Sequence, residues 1–358
     1  MSQKITAIDL FCGAGGFTKA AREVGIDVLA AIELDNYACE TYKNNFIESK
    51  KTNKPKLYQN DIMELDPNTI LFDLDLKAGE LDILLGGPPC QGFSTHRINN
   101  AGVNDPRNLL LTRYFDYVNV LKPKVFIVEN VSGLLWPRHK EHLDRFYNLA
   151  RRNGYSVYAP VLLDAKDYGV PQNRKRVFIL GYRSNLNLEF SWPPAQTHYA
   201  SNSIEVKEKG LPAHLNAEIV FEKVLSKDDP NNLHMNHTKE LTEVFKSTPK
   251  NGGSRSQSCR VLPCHTNYAG HKDVYGRIDP KKPGPTMTTA CINPSKGRFL
   301  HPTKNYGITV RHAARFQTFP DDFVFTGGLT ATSKQIGNAV PVELGINVLK
   351  SLLLNLGE

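Results

Sequence analysis

The chain of 358 residues predicts an α/β fold, a doubly wound, mostly parallel sheet accompanied by a smaller, loop-rich second domain. Three observations carry this expectation. Short apolar runs alternate with helix-like segments over residues 1–185, the glycine- and proline-rich motifs fall where those runs end, and the alternation is lost beyond about residue 185.

Taken in order, ITAIDLF, DVLAAIE, LDILLGG, KVFIVEN and RVFILGY are β-branched and almost continuously apolar, as strands covered on both faces must be. TKAAREVG, NYACETYKNNF, NLLLTRYFDYVNVL and KEHLDRFYNLARRNG supply helices between them. The stretch from WPPAQTHYASNS through NGGSRSQS to about residue 307 is irregular. Its length and apolar clusters such as AEIVFEKVL favour a second domain over a flexible linker. Helical character returns in VRHAARFQTF and in PVELGINVLKSLLLNLG, whose spacing suits a helix packed on the first sheet. The expected organisation is therefore residues 1–185, a second domain over 186–310, a hinge over 311–330 and a return to the first domain over 331–358.

At 40% hydrophobic residues, the chain can bury a substantial core. It lacks a run of eighteen apolar residues, and MSQKITAIDLF enters a strand pattern directly, so a cytoplasmic protein without a membrane segment is expected. Six scattered cysteines argue for reduced thiols rather than a disulfide framework. The formal charge is +8, and between Lys246 and Lys304 eleven Lys and Arg face only Asp273 and Asp279. Interleaved with Gly, Tyr, Asn and Pro, these bases suit a polyanion better than a membrane surface.

The motifs narrow the chemistry. DLFCGAGGF (9–17) follows the first strand and opens a helix, where glycines let backbone N–H groups approach a ligand. Its G-x-G-G spacing departs from the pyrophosphate fingerprint, so a nucleoside cofactor without a diphosphate fits better. Glu33 ends the second strand, where a carboxylate can accept ribose hydroxyls, and Asp61 ends a probable third. In LLGGPPCQGFS, Cys90 stands on a stiff Gly-Gly-Pro-Pro corner. A nucleophile is favoured there over a core thiol or a metal ligand. Glu129 and Asn130 end the next strand, beside the Cys90 corner in a parallel sheet, where a buried carboxyl can donate a proton. Arg174 and Arg176 occupy alternate positions of what reads as one strand face, aimed into one cleft.

Read together and in order, DLFCGAGGF, GGPPCQGFS, ENV, QNRKR and QIGNAVP resemble the DNA (cytosine-5) methyltransferases, particularly the bacterial type II restriction-modification type. The resemblance covers residues 1–185 and about 275–358. The region from about 186 to 270 matches by position only, as the family's target-recognition domain. It implies a Rossmann-like fold dependent on S-adenosylmethionine, with Phe11, Gly13, Gly16, Glu33, Asp61, Ile62, Pro89, Leu110, Asn338 and Val340 lining the cofactor pocket. Glu33 would bind the ribose and Asp61 the adenine. Cys90 would be the nucleophile at cytosine C6, Glu129 the acid at N3, and Arg174 and Arg176 would hold the base and the cysteine corner. The target cytosine would be flipped out of the duplex, with residues 94–108 as a closing lid. Gln91, Ser94 and Arg97, with Arg255, Arg260, Lys272 and Arg277 of the second domain, are the candidate DNA contacts. The implied setting is a monomer acting on double-stranded DNA, with a cognate restriction endonuclease as its functional counterpart.

One departure stands out. The family commonly has Arg-Glu where this chain has Arg311-His312, which predicts altered packing near the hinge with the catalytic set untouched. Cys259, Cys264, His265 and His271 have metal-ligand types at loose spacing, but core thiols and DNA-facing histidines are favoured, so no metal is expected.

Overall fold

The computed structural model describes residues 4–48, 53–89, 109–186, 188–259 and 273–356. The chain divides into two compact units, one comprising Met1–Asp164, Lys175–Ala195 and Leu344–Glu358, the other Ala165–Arg174 and Gln196–Glu343. Residues 165–174 thus pack with the second unit although the sequence boundary was expected at 185, and the return to the first unit comes at Leu344 rather than 331.

The first unit is built on an eight-stranded sheet. Its strands are β1 (Thr6–Leu10), β2 (Asp27–Glu33), β3 (Lys56–Gln59), β4 (Ile83–Gly86), β5 (Val125–Val131), β6 (Tyr155–Val157), β7 (Val161–Asp164) and β8 (Lys175–Arg183). The order is β3-β2-β1-β4-β5-β8-β6, with β7 also paired to β8. From β3 to β5 all pairings are parallel, whereas β8 runs antiparallel to β5, β6 and β7. The strand order reverses between β1 and β4, which opens a crevice at the carboxyl ends of those strands.

Helices α1 (Gly16–Glu23), α2 (Asn36–Tyr42), α3 (Pro67–Asp73), α4 (Leu109–Leu121) and α5 (Lys140–Arg152) belong to this unit. Their starts follow from local chemistry. Asp35 accepts from the Tyr37 and Ala38 N–H groups to cap α2, and Asp66 caps α3 ahead of Pro67. Tyr114 of α4, wholly buried, directs its hydroxyl at the Leu84 and Ile127 carbonyls of neighbouring strands, 2.9 and 3.1 Å away. Gly86 makes room for it, since a Cβ there would lie 2.4 Å from the Tyr114 ring.

The second unit contains α6 (Ile204–Lys207), α7 (Glu218–Glu222), α8 (Lys239–Ser247), α9 (Val310–Phe316) and α10 (Leu329–Asn338). Its extended segments form only isolated bridges among the described residues, such as Arg277–Leu300 and Leu300–Gly307, in keeping with a loop-rich domain. The last helix, α11 (Val342–Leu356), rejoins the first unit from Leu344. Among the described residues no helix is long and apolar enough to cross a membrane.

Candidate active site

The carboxyl end of β1 leads into a tight loop in which Phe11 and Gly13 have φ of 57° and 55°, and Gly15 has 94°. Gly15 is required twice over, because a Cβ there would also strike the Phe46 ring at 2.3 Å. At Gly13, by contrast, a Cβ would meet nothing within 4 Å, so the loop faces open space on that side. Glu33, at the end of β2, borders it: its carboxylate accepts from the N–H groups of Gly13 (2.9 Å), Leu34 (2.9 Å) and Asp35 (2.8 Å). An acid so held has a fixed orientation, as recognition of a ribose diol demands. Gly16 opens α1, and Phe11 packs at the edge of the core with Leu110 of α4.

Asp9, one residue before the end of β1, was not singled out from the sequence. Its buried carboxylate accepts from the Thr18 hydroxyl (2.7 Å) and N–H (3.1 Å), tying the strand to the first turns of α1 and so shaping the glycine loop. Burial pushes this carboxyl up to about 7, with the Thr18 bonds opposing. The available signal was a lone acid inside an apolar strand.

After β3, Asp61 and Ile62 open a turn. Asp61 accepts on Oδ1 from the Met63 N–H at 2.9 Å, and Ile62 is buried. Asn338 and Val340 lie in the second unit, Asn338 exposed at the end of α10 and Val340 buried.

At the end of β5, Glu129 is 7% exposed and pairs with Arg176 of β8, Oε1 to Nε 2.9 Å. Its other oxygen would lie 3.5 Å from a Cβ on Gly87, so the carboxyl group sits against the Gly-Gly-Pro-Pro corner. The neighbouring Asn130 donates from Nδ2 to the Pro88 carbonyl (3.3 Å) and accepts the Val131 N–H (2.8 Å). The Glu-Asn pair therefore braces the corner whose last described residue is the exposed Pro89. Cys90, Gln91, Ser94 and Arg97, and the whole 94–108 segment, lie outside the described residues, as do Arg260, Cys264, His265, His271 and Lys272.

Two arginine expectations are corrected. Arg174 and Arg176 do not share a strand face, because β8 begins at Lys175. Arg174 belongs to the second unit, is wholly buried, and donates to the carbonyls of Met287, Gly337 and Ala339, each at 2.9 Å. These acceptors flank Asn338, so Arg174 shapes the turn carrying Asn338 and Val340. Arg277 is not a surface DNA contact. It is wholly buried, donating to the Thr248 and His301 carbonyls, to those of Phe245 and Lys304, and to Asn305 Oδ1. A guanidinium with five donors in a fixed fork can organise converging carbonyls in this way. Arg255 stands half-buried on a short 3₁₀ turn, and Cys259 is exposed.

His312 stands in the first turn of α9. It is the third residue of α9, and its Nδ1 accepts from the N–H of the capping Thr309 at 3.3 Å while the Thr309 hydroxyl accepts from the His312 N–H at 3.1 Å. The imidazole thus performs the reciprocal capping usually assigned to Glu or Gln. Burial, with His301 and Arg315 nearby, pulls its pKa down to about 3, which keeps the acceptor nitrogen bare. Arg311 beside it is buried and paired with Asp229, Nε to Oδ2 2.6 Å.

Sheet order, glycine loop and strand-end carboxylates define a protein of the α/β methyltransferase class. The family model for C-5 cytosine-specific DNA methylase matches residues 5–353. Among similar proteins, the Type II methyltransferase M1.HphI of Haemophilus parahaemolyticus is 32% identical over 351 residues, covering 98% of this chain and 87% of the relative. The Type II methyltransferase M.DdeI of Desulfomicrobium norvegicum is 32% identical over 382 residues, covering 93% and 85%. A solved DNA modification methyltransferase encoded within an Escherichia coli prophage superposes with a TM-score of 0.73 at 25% identity, covering 99% of this chain and all of that one. The chain belongs to the C-5 cytosine-specific DNA methylase family and is a DNA cytosine-5 methyltransferase.

Proposed function

We propose that this enzyme transfers a methyl group from S-adenosylmethionine to C5 of a flipped cytosine within one short DNA sequence, through a covalent bond between Cys90 and C6. The observation that carries the reading is the Glu129 carboxyl group, paired with Arg176 and buried against Gly87, which itself stands three residues before Cys90 in the Gly-Gly-Pro-Pro-Cys corner. The cofactor fits the residues present. Glu33 is oriented for a ribose diol, the Gly13 side of the loop is open, and Asp61 and Ile62 follow the adjacent strand to receive the adenine, while Phe11 and Leu110 pack against the core cluster that includes Ile62. By the family resemblance, Phe11, Gly13, Gly16, Glu33, Asp61, Ile62, Pro89, Leu110, Asn338 and Val340 would line the cofactor pocket. S-adenosylmethionine supplies a methyl group made electrophilic by its sulfonium.

Cytosine C5 is a poor nucleophile, and the chain's own residues correct that. The Cys90 thiolate adds to C6 as Glu129 gives a proton to N3, which leaves enamine density on C5. Arg176 is then the counter-ion for the carboxylate that remains. Once C5 has accepted the methyl, loss of the C5 proton to a base and expulsion of the Cys90 thiolate, with return of the N3 proton to the Glu129 carboxylate, restore the neutral aromatic ring and the enzyme. Stacked duplex DNA hides C6, so the base must be extruded to reach Cys90. Gln91, Ser94 and Arg97 are placed by sequence beside that nucleophile, and Arg255, Arg260 and Lys272 belong to the basic stretch that would meet the duplex. The type II relatives support host-DNA protection in a bacterial cytoplasm opposite a restriction endonuclease.

The test uses duplex DNA carrying 5-fluorocytosine at the target position. Fluorine cannot leave as a proton does, so methylated enzyme–DNA adducts accumulate, and peptide mass spectrometry is expected to find the base on Cys90. Cys90→Ala should abolish both adduct and turnover while DNA binding persists, and Glu129→Gln should slow turnover by about 100-fold or more with cofactor binding retained. Adduct formation by Cys90→Ala would remove Cys90 as nucleophile.

A further inference from the structure

We infer that Arg113 and Tyr117 are positioning residues for the methyl donor, because they fix the turn that carries Asp61 and Ile62; the inference rests on the reading above that this turn receives the adenine. The turn follows β3, which lies at the end of the sheet order, so the sheet supports it from one side only. Within itself it is held by the N–H groups of Glu64 and Leu65 on the Asp61 carbonyl, both at 3.0 Å, and of Met63 on the Asp61 side chain. Helix α4 supplies the rest. Arg113 donates from Nε to the Ile62 carbonyl and from Nη2 to the Leu65 carbonyl, each at 2.8 Å. The Tyr117 hydroxyl reaches the same carbonyls, at 3.3 Å to Ile62 and 2.8 Å to Leu65.

This arrangement is rigid. Tyr117 is wholly buried, the Arg113 guanidinium lies 5.2 Å from the centre of its ring, and Nη1 is tied to Asp116 at 3.2 Å. Leu110, Arg113 and Tyr117 are spaced i, i+3, i+7 and so share one face of α4. The face that offers Leu110 to the donor pocket thereby also sets where Asp61 stands. Freeing the Ile62 and Leu65 carbonyls lets the peptide units next to Asp61 rotate, which displaces the acid from the adenine without touching the Cys90–Glu129 chemistry.

Calorimetric titration of the full-length enzyme with S-adenosylmethionine tests this. Arg113→Ala is expected to raise Kd by about 10-fold or more, the scale of one charge-assisted hydrogen bond. Arg113→Lys, which can reach one carbonyl but lacks the fork, should recover part of the loss, and Tyr117→Phe should raise Kd by a few-fold. At saturating donor, kcat should stay within about twofold of the parent for each. Should Arg113→Ala fail to fold, Arg113→Lys and Tyr117→Phe carry the test, with melting temperatures recorded alongside. Folded variants that bind the donor as the parent does, while Asp61→Ala weakens binding, overturn the positioning role and leave the Asp61 reading standing. An unchanged Kd in Asp61→Ala overturns the reading of the turn and the inference with it.

Discussion

The Glu33 carboxylate, the Glu129–Arg176 pair and the His312 cap show single side chains turned to a task by what surrounds them. For His312 the surroundings have a thermodynamic consequence. Its pKa falls from 6.5 to about 3 in the folded protein, so between those values the unfolded chain binds the proton that the native state refuses. Stability from this group is complete above about pH 6.5 and declines as pH drops through the window, by up to about 1.4 kcal/mol per pH unit. His301, lowered to about 4 by burial together with Lys304 and Arg277, acts in the same direction. His312→Gln keeps a neutral acceptor at the capping position and removes the titrating ring. Urea unfolding between pH 7 and 5 should therefore show a shallower loss in the variant; identical slopes would mean that His312 does not control acid lability. Arg277 and Arg174 teach a different lesson at this scale. Their letters in a basic sequence look like DNA or base contacts, yet what decides their role is a set of carbonyls distant in sequence, which no local pattern announces.

At the scale of elements, the strands that enclose the site were legible because buried parallel strands are continuous apolar runs, and the acids Glu33 and Glu129 mark their carboxyl ends. β6 and β7 were not, since YSV and VLLD are too short to show a period, and they gain order by pairing with β8. The support of the Asp61 turn was equally hidden. Arg113 and Tyr117 read as ordinary members of an amphipathic helix, and only the fold brings them to the Ile62 and Leu65 carbonyls. The same helix gives an element-scale prediction through Tyr114, whose hydroxyl serves both β4 and β5. Tyr114→Phe should lower unfolding free energy by about 1 kcal/mol with side-chain packing intact, whereas Gly86→Ala, which drives a methyl into that ring, should cost about 1–3 kcal/mol. Equal stability of Tyr114→Phe and parent in denaturant titrations would show that the strand stitching contributes nothing.

For the molecule as a whole, the class of reaction was legible because its motifs fall where a doubly wound sheet gathers its strand ends, and the family match over residues 5–353 bears that out. The second unit was legible only as loop-rich and basic. Its contacts join segments such as Asp229 with Arg311 and Arg277 with His301 across irregular chain, without periodicity to follow. Its sequence preference is the property on which the account turns. The most direct measurement incubates the enzyme and S-adenosylmethionine with unmethylated DNA of mixed sequence and maps 5-methylcytosine at single-base resolution. The account predicts methylation confined to one cytosine of a single short motif; DNA left unmodified while the cofactor binds, or methyl groups scattered without regard to sequence, would contradict it.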